Sequence, residues 1–285
     1  MNNHTGILLE GGAMRSVFSA GVLDFFLDKN IQIDNILAIS AGAYAGMNYA
    51  SGQRGRVPDA IIHPLKEYKY LGLSTFLRKG TFFDMDYLFD EIPRTLSPYD
   101  YNNFQAFPGR FITSVINCLT GETQYYENFR DQEELFTICR AANSLPLIAR
   151  ITDIDGMPML DGGMADAIPI EKALKEGWKK IIVVFTRDSS YRKKLKKDLY
   201  MKLIHIIYRK YPNFLKRIED RAQRYNDAIE KVIELEKQGR AFILRPTKMT
   251  VGNNESNVDK LMQYYNHGYE TAGEKCGELM RFLES

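Results

Sequence analysis

GILLEGGAMR, residues 6–15, is the stretch that decides the fold. Its apolar run ends in paired glycines, a pattern that predicts a buried strand followed by a tight turn. Residues 16–29 then carry apolar side chains at helical spacing, which predicts a helix with one buried face. A second strand over 31–40 and a second helix over 41–50 repeat this order. The βαβα opening therefore predicts a parallel sheet covered by helices.

The rest of the chain continues to combine strand and helix patterns. Two β-runs around Thr120-Gly121-Glu122 predict a hairpin, and residues 57–107, which are interrupted by prolines, predict a helical and irregular segment. The remaining predicted elements are a helix over 131–143, a strand over 157–160, a helix over 170–177, strands over 179–186 and 241–244, and an amphipathic terminal helix over 257–283. We find no internal repeat and no low-complexity linker between them.

Composition narrows the class of protein. Of the 285 residues, 45% are hydrophobic and 26% are charged, which excludes wholesale disorder, and the net charge of +2 excludes a polycation built for nucleic acid. The three cysteines lack a CxxC spacing and the four histidines lack an HExxH spacing, so we expect no disulfide framework, no metal site and no cofactor. Without a signal-like N-terminus or an apolar run of about 20 residues, we expect a cytoplasmic protein, free or peripheral to a membrane.

One segment differs in charge from the rest of the chain. Residues 191–217 contain ten Lys or Arg and a single acid, Asp198, interleaved with aromatic and aliphatic side chains. Together with the residues up to 239, they predict a basic helical excursion between two strands. The excursion is typical either of a surface that contacts an anionic membrane or of a solvated cap over a pocket. It contains no recognisable nucleic-acid-binding module, so we expect no nucleic-acid partner.

Ser40 is the main candidate for chemistry. It lies in AISAG, residues 38–42, at a predicted strand-to-helix corner, which is the arrangement of a nucleophile elbow written AxSxG instead of GxSxG. An ordinary helix cap is the alternative interpretation. Because parallel strands end at one edge of a sheet, the Gly11-Gly12 turn is expected beside Ser40. There the N–H groups of Gly12, Ala13 and Ala41 can form an oxyanion hole.

Asp161 is the candidate base for such a serine. Asp161-Gly162-Gly163 places an acid at the end of a predicted strand, although an Asx turn explains the same pattern. A nucleophilic serine needs a base. His205 falls in the basic excursion and His267 in the terminal helix, so neither follows a strand. A Ser–Asp pair is the economical hypothesis, and a Ser–Asp–His triad that uses His267 stays open.

These motifs together resemble the patatin-like phospholipases, most nearly their bacterial, cytosolic branch. The order and spacing of LEGGAMRS (residues 9–16), ISAGA (39–43) and LDGGMADAIP (160–169) agree with that family. Further similarity lies in residues 48–56, RAANSLP (140–146) and LRP (244–246). The resemblance therefore covers nearly the whole chain.

The resemblance implies a three-layer α/β/α sandwich over a single domain, residues 1–285, with the helical excursion at 191–239. It also implies a Ser–Asp dyad without histidine, in which Ser40 is the nucleophile and Asp161 the base. The other positions that it carries over are Gly11, Gly12 and Ala13 as the oxyanion hole, completed by Ala41, with Arg15, Gly42, Gly162 and Gly163 supporting the motifs. The chain departs from the family pattern at Ala13, Ser16 and Ala38, which are all small, so we expect the geometry to survive.

The sequence thus predicts a serine acyl hydrolase that cleaves a phospholipid or another lipid ester through an acyl-enzyme intermediate. The alternative is a catalytically silent lipid-binding or regulatory module on the same fold, which the three departures motivate. A dyad requires an aspartate with limited solvation, so we expect the pKa of Asp161 to lie above the ordinary value of about 3.9. The head group, the acyl chain length and the oligomeric state are not encoded in these motifs.

Overall fold

The structure is a computed structural model that describes residues 4–194 and 199–285. Its strands are β1 (Thr5–Leu9), β2 (Asn35–Ala38), β3 (Arg110–Asn117), β4 (Thr123–Tyr126), β5 (Thr152–Ile154), β6 (Met157–Asp161), β7 (Lys180–Val184) and β8 (Ala241–Leu244). Its α-helices are α1 (Val17–Asp28), α2 (Ala41–Ala50), α3 (Leu73–Lys79), α4 (Tyr101–Gln105), α5 (Gln132–Ala142), α6 (Ile170–Lys175), α7 (Leu199–Ile207), α8 (Pro212–Glu219), α9 (Arg221–Lys237), α10 (Val258–Glu274) and α11 (Cys276–Glu284).

The central strand of the sheet is the apolar run that opens the chain. The strand order is β5-β6-β3-β2-β1-β7-β8, with β4 paired to β3. The pairs from β3 to β8 along this order are parallel, whereas β4, β5 and β6 pair antiparallel. Ile7, Leu8 and Leu9 are fully buried, because a parallel strand is covered by helices on both faces. The predicted mostly parallel sheet is confirmed.

Alternate residues of each strand enter different layers of the core. Ile7 and Leu9 pack with α1, α2 and α10, whereas Leu8 packs with α6 and α9 on the opposite face. This period of two is what a pleated strand produces between two helical layers. The predicted α/β/α sandwich is therefore confirmed, and the predicted excursion is helical, as α7, α8 and α9. Residues 195–198 of the basic segment, with Asp198, lie outside the described residues.

Helices α1 and α10 cross at unusually close range. A Cβ on Gly21 would lie 2.0 Å from the Tyr265 carbonyl oxygen, and a Cβ on Gly268 would lie 2.0 Å from the Phe18 carbonyl oxygen. Only glycine allows two helix backbones to approach so closely. The Tyr265 hydroxyl donates a 2.5 Å hydrogen bond to the Asp24 carboxylate across the same crossing. The C-terminal helix is thereby held against the helix that follows the first turn.

Two predicted elements differ from the structure. The second strand begins at Asn35, not at residue 31, because the Tyr49 hydroxyl donates to the Ile31 carbonyl and accepts from the Ile33 N–H. These contacts satisfy backbone groups outside the sheet ladder. The predicted terminal helix is divided at Lys275 into α10 and α11. Glycines on both sides of the junction, at 273 and 277, weaken helix propensity there.

Strand β5 was not predicted from the sequence. It forms a hairpin with β6 around Asp155 and Gly156, whose φ values of 50° and 78° are both positive. An Asp-Gly pair between strands is a strong signal for such a turn, and it was present in the sequence. The segment 57–107 is helical and irregular as predicted. It includes π-helical turns at Pro58–Ile62 and Tyr87–Leu96 besides α3 and α4.

Candidate active site

Ser40 lies at the sharp corner between β2 and α2. Its backbone has φ 55° and ψ −134°, a conformation that costs of order 1–3 kcal/mol for a residue other than glycine and that is concentrated at functional sites. The corner tolerates only small neighbours. A Cβ on Gly11 would lie 2.5 Å from the Ser40 Cβ, and a Cβ on Gly42 would lie 2.8 Å from the Leu9 carbonyl oxygen. Ala38, the first position of the elbow pattern, is fully buried at the end of β2.

Asp161 reaches Ser40 because β6 pairs only with the C-terminal part of β3. Asp161 lies opposite Val115, two residues beyond Thr113, which is level with Ala38. The Ser40 Oγ donates a 2.5 Å hydrogen bond to the Asp161 Oδ2. These two side chains, 121 positions apart in the chain, are 8% and 1% exposed. The geometry is that of a hydroxyl and a carboxylate in direct contact within a nearly dry environment.

The Asp161 carboxylate is fixed on both oxygens. Its Oδ1 accepts a 2.8 Å hydrogen bond from the Gly163 N–H, while its Oδ2 accepts from Ser40. A Cβ on Gly162 would lie 2.3 Å from the Ser114 Oγ, so the first glycine is required for the close approach to β3. The motif glycines thus orient the acid.

Burial raises the pKa of Asp161 to about 6, in the direction expected from the sequence. Hydrogen bonds from Ser40 and Gly163 oppose this rise, as do the positive charges of Arg221 and Lys193. A carboxyl group whose pKa lies near neutral pH is suited to accept a proton and return it.

The loop after β1 presents backbone N–H groups beside Ser40. Within the described chain, the N–H groups of Gly12, Ala13 and Ala41 donate no hydrogen bond. Ala41 is the first residue of α2, where the helix dipole favours negative charge. Ala13 has a φ of 50°, a left-handed conformation that glycine adopts more easily. The four predicted oxyanion-hole residues therefore line the cavities beside the serine, and no described residue accepts a hydrogen bond from their N–H groups.

The position of this loop is fixed by neighbouring segments. The Met14 N–H donates to the Asn253 carbonyl at 3.2 Å, and the Glu10 N–H donates to the Val184 carbonyl at 3.0 Å. The Glu10 carboxylate accepts from the Thr186 N–H at 2.6 Å and from the Tyr225 hydroxyl at 2.6 Å. Sequence reasoning missed this buried network, because its members are far apart in the chain. The signal was Glu10 itself, an acid placed at the end of an apolar strand.

Two cavities of different character open beside Ser40. The larger, about 1580 Å³, reaches Asp161 and the basic segment, and Lys193 and Arg221 are among its lining residues. The smaller, about 80 Å³, is mostly apolar, with Val17, Tyr44, Leu88 and Phe89 in its lining. Ser40 lines both cavities, so it lies at the boundary between a cationic space and an apolar one.

The candidate histidines are placed differently from a triad base. The His267 Nε2 accepts a 3.1 Å hydrogen bond from the Thr247 N–H, and its ring packs beside Phe18. His205 lies on the rim of the larger cavity and faces Glu219 at 3.8 Å. Neither ring is hydrogen-bonded to Ser40 or Asp161 in the part of the chain that the structure describes.

Two further structural findings concern residues 4–194 and 199–285. No group of three or more His, Cys, Asp or Glu side chains is arranged to hold a metal ion among them. No helix formed by these residues is long and apolar enough to cross a membrane.

Two protein-family models match most of the chain, each over a different segment. The family model "Patatin-like phospholipase" matches residues 7–174, and a model described as "Domain of unknown function (DUF6363)" matches residues 211–284. An Escherichia coli (strain K12) protein, "Uncharacterized protein YjjU", is 27% identical over 184 residues. That match covers 63% of this chain and 51% of YjjU, so it spans about half of the relative's length.

Among solved structures, VipD from Legionella pneumophila has 10% sequence identity and a TM-score of 0.47. The superposition covers 95% of this chain and 66% of VipD. The Patatin-like phospholipase model includes both Ser40 and Asp161 and covers more than half of the 285 residues. As the three sequence motifs predict, the chain belongs to the patatin-like phospholipase family.

Proposed function

We propose that this protein is a serine acyl hydrolase of lipid esters in which Ser40 is the nucleophile and Asp161 the general base. The observation that carries the proposal is the 2.5 Å hydrogen bond from the Ser40 Oγ to the Asp161 Oδ2 at a strained strand-to-helix corner. Membership of a family of lipid hydrolases supports the same chemistry. The positions of His205 and His267, neither of which is hydrogen-bonded to Ser40 or Asp161 among the described residues, support a dyad without histidine.

The reaction proceeds in two halves. Asp161 accepts the Ser40 proton as Oγ attacks the ester carbonyl, and the carbonyl oxygen becomes an oxyanion. The N–H groups of Gly12, Ala13 and Ala41 stabilise it, and one such donor is worth about 3–4 kcal/mol in other hydrolases. The tetrahedral intermediate expels the alkoxide, which takes the proton from Asp161 and leaves an acyl-Ser40. Asp161 then deprotonates a water that attacks the acyl group, and Ser40 recovers its proton as the fatty acid leaves.

The apolar cavity is the proposed site of the first carbons of the acyl chain. Its aromatic and aliphatic lining adjoins Ser40 on the side of α2, and Ala41 and Ala45 of that helix belong to it. Burial of an acyl chain there is favourable at about 0.8 kcal/mol per methylene. With the acyl group in this cavity, the larger, cationic cavity is left for the alcohol part of the ester.

We further propose that the helix α7 rests on an anionic membrane surface. Leu203, Ile206 and Ile207 are 39%, 62% and 57% exposed, and Lys202 lies among them at the rim of the larger cavity. Exposed apolar side chains beside basic ones are typical of an interfacial helix. Vesicles that contain anionic lipid should sediment the protein at low salt and release it at high salt. Absence of binding at low salt would refute this contact.

A catalytically silent lipid-binding module is the second candidate. The observation that favours it is the alanine at position 13, held at a φ of 50° where glycine is preferred. Labelling with a fluorophosphonate separates the two functions, because only an activated serine reacts. We expect the wild-type protein to be labelled and Ser40→Ala not to be. Ser74→Ala, at an exposed serine, is the matched control and should label normally. Absence of labelling in the folded wild-type protein would favour the silent module.

A further inference from the structure

Four basic side chains converge on the larger cavity from different parts of the chain. Arg15 follows the loop of residues 11–13, here called the oxyanion loop, Arg187 follows β7, Lys193 lies in the basic segment, and Arg221 begins α9. All four line the same space as Ser40 and Asp161. The fold therefore gathers cations from three separate regions of the sequence beside the reacting serine.

These cations lack acidic partners. None of the four forms an ion pair among the described residues, and the Nε atoms of Arg15 and Arg187 are buried without a hydrogen-bond partner. The Nε of Arg221 donates to the Gly163 carbonyl at 2.9 Å. The acids that line the cavity have other partners: Glu10 binds Thr186 and Tyr225, Asp161 binds Ser40 and Gly163, and Glu219 faces His205. A buried donor without an acceptor is costly unless a ligand supplies one.

Mutual repulsion between these cations lowers the pKa values of Lys193 and Arg15. Burial lowers the pKa of Lys193 well below its ordinary value, and the charges of Arg221, Arg15 and Arg187 lower it further, against an opposing effect of the Glu10 carboxylate. Burial and Arg187 likewise lower the pKa of Arg15 to about 10. An anion placed among these groups would reverse both effects, because it favours the charged form of each.

Two of the aromatic rings that line this cavity, those of Tyr191 and Tyr225, are already covered by the protein's own cations. The Arg187 guanidinium lies 4.2 Å from the centroid of the Tyr191 ring, and the Lys193 Nζ lies 4.6 Å from that of Tyr225. A quaternary ammonium group such as choline binds to free aromatic faces. Here it would meet positive charge instead.

We propose that Arg15, Arg187, Lys193 and Arg221 form a subsite for an anionic phosphate on the alcohol side of the ester, and that they select anionic over neutral and zwitterionic lipid esters. This inference rests on the proposed hydrolase function, whose nucleophile lies between the subsite and the apolar cavity. The phosphate would accept hydrogen bonds from the unpartnered guanidinium groups, and the acyl chain would occupy the opposite side of Ser40. Arginine is well suited to this role because its planar fork matches phosphate oxygens.

Three soluble esters with one acyl chain test the proposal: monohexanoylglycerol, its phosphate, and its phosphocholine. We expect kcat/KM to be about tenfold or more higher for the phosphate ester than for the other two, which corresponds to about 1.4 kcal/mol of selective binding. Lys193→Met and Arg187→Met should reduce this ratio at least several-fold, chiefly through KM. Lys216→Met removes one exposed charge from the same basic segment outside the cavity, and it should keep the ratio.

Each outcome decides between specific alternatives. Equal rates for the three wild-type reactions, or an unchanged ratio in both cavity variants, would overturn the subsite while leaving the hydrolase intact. If none of the esters is hydrolysed, the hydrolase function fails. Calorimetry of the three esters on Ser40→Ala protein then tests the subsite by itself, and equal affinities refute it. Inorganic phosphate distinguishes a free anion from a head group. Competition by phosphate with equal rates for all esters would identify a free-anion site and refute the head-group proposal.

Discussion

Asp161→Asn separates the catalytic use of this side chain from its effect on stability. The folded state raises the pKa of Asp161 from 3.8 to about 6, mainly by burial. At 1.36 kcal/mol per pKa unit, ionised Asp161 destabilises the folded state by about 3 kcal/mol relative to a neutral acid. Asparagine has the same shape and carries no charge. We therefore expect Asp161→Asn to abolish hydrolysis and yet to increase the free energy of unfolding by up to about 3 kcal/mol at about pH 8.

The sign of this effect fixes its pH dependence. Because the folded-state pKa lies above the unfolded value, the destabilisation is absent below 3.8 and grows as the pH rises through about 6. The stabilisation by Asp161→Asn should thus shrink from about 3 kcal/mol at about pH 8 to less than about 1 kcal/mol near pH 4.

Urea unfolding of the wild type and the variant, followed by circular dichroism at both pH values, measures this difference. Ser40→Ala is the control, since it removes activity while keeping the buried acid. A variant that is less stable than the wild type at about pH 8, or a difference that does not change with pH, would refute the reasoning.

Three further predictions address the rate profile, the oxyanion loop and the crossing of α1 and α10. The kcat/KM of the wild type should fall tenfold per pH unit below about pH 6, because Asp161 becomes protonated. A kcat/KM that stays constant down to about pH 4.5 would contradict a carboxylate base. Ala13→Gly should keep or increase the fluorophosphonate labelling rate, because it relieves a positive φ of 50°. Gly12→Ala should slow it strongly, since the new Cβ would lie 2.6 Å from the Thr186 Oγ1, and the reverse order would show that the loop geometry is misassigned. Gly268→Ala should lower the free energy of unfolding by about 1–3 kcal/mol through overpacking. Gly277→Ala, where the new Cβ would lie in open space, should change this free energy little or raise it by about 1 kcal/mol. Equal melting temperatures for the two variants would count against the close contact of α1 and α10.

Local patterns in the sequence were sufficient to predict a parallel sheet covered by helices and the place of the candidate site. The apolar runs at β1 and β7 and the paired glycines carry information within about ten residues of each element. Parallel pairing then brings the Gly11 turn and Ser40 to one edge without any knowledge of distant contacts. The Asp161-Gly162-Gly163 motif suggested a candidate base, and the family resemblance then assigned that acid to Ser40.

The remaining features depend on contacts between distant residues. The late start of β2 is set by the Tyr49 hydroxyl, and the network of Glu10 involves Tyr225, which is 215 positions away. The cationic cluster could not be predicted from the sequence either, because nothing in the sequence distinguishes Arg15 or Arg221 from an ordinary exposed arginine. Only the folded arrangement shows that these two side chains line one cavity and that neither forms an ion pair among the described residues.

The central position of β1 has a consequence for how the protein can be divided. Its two neighbours in the sheet are β2, from the segment matched by the Patatin-like phospholipase model, and β7, which lies between the two matched segments. A fragment that ended near residue 174 would leave the edge of β1 open, and the N–H of Glu10 would lose the Val184 carbonyl. Such a fragment should be prone to self-association. Two co-expressed fragments, divided between α6 and β7, should instead associate through the pairing of β1 with β7. Together they should regain the hydrolytic activity that each fragment lacks, as the halves of a split reporter do.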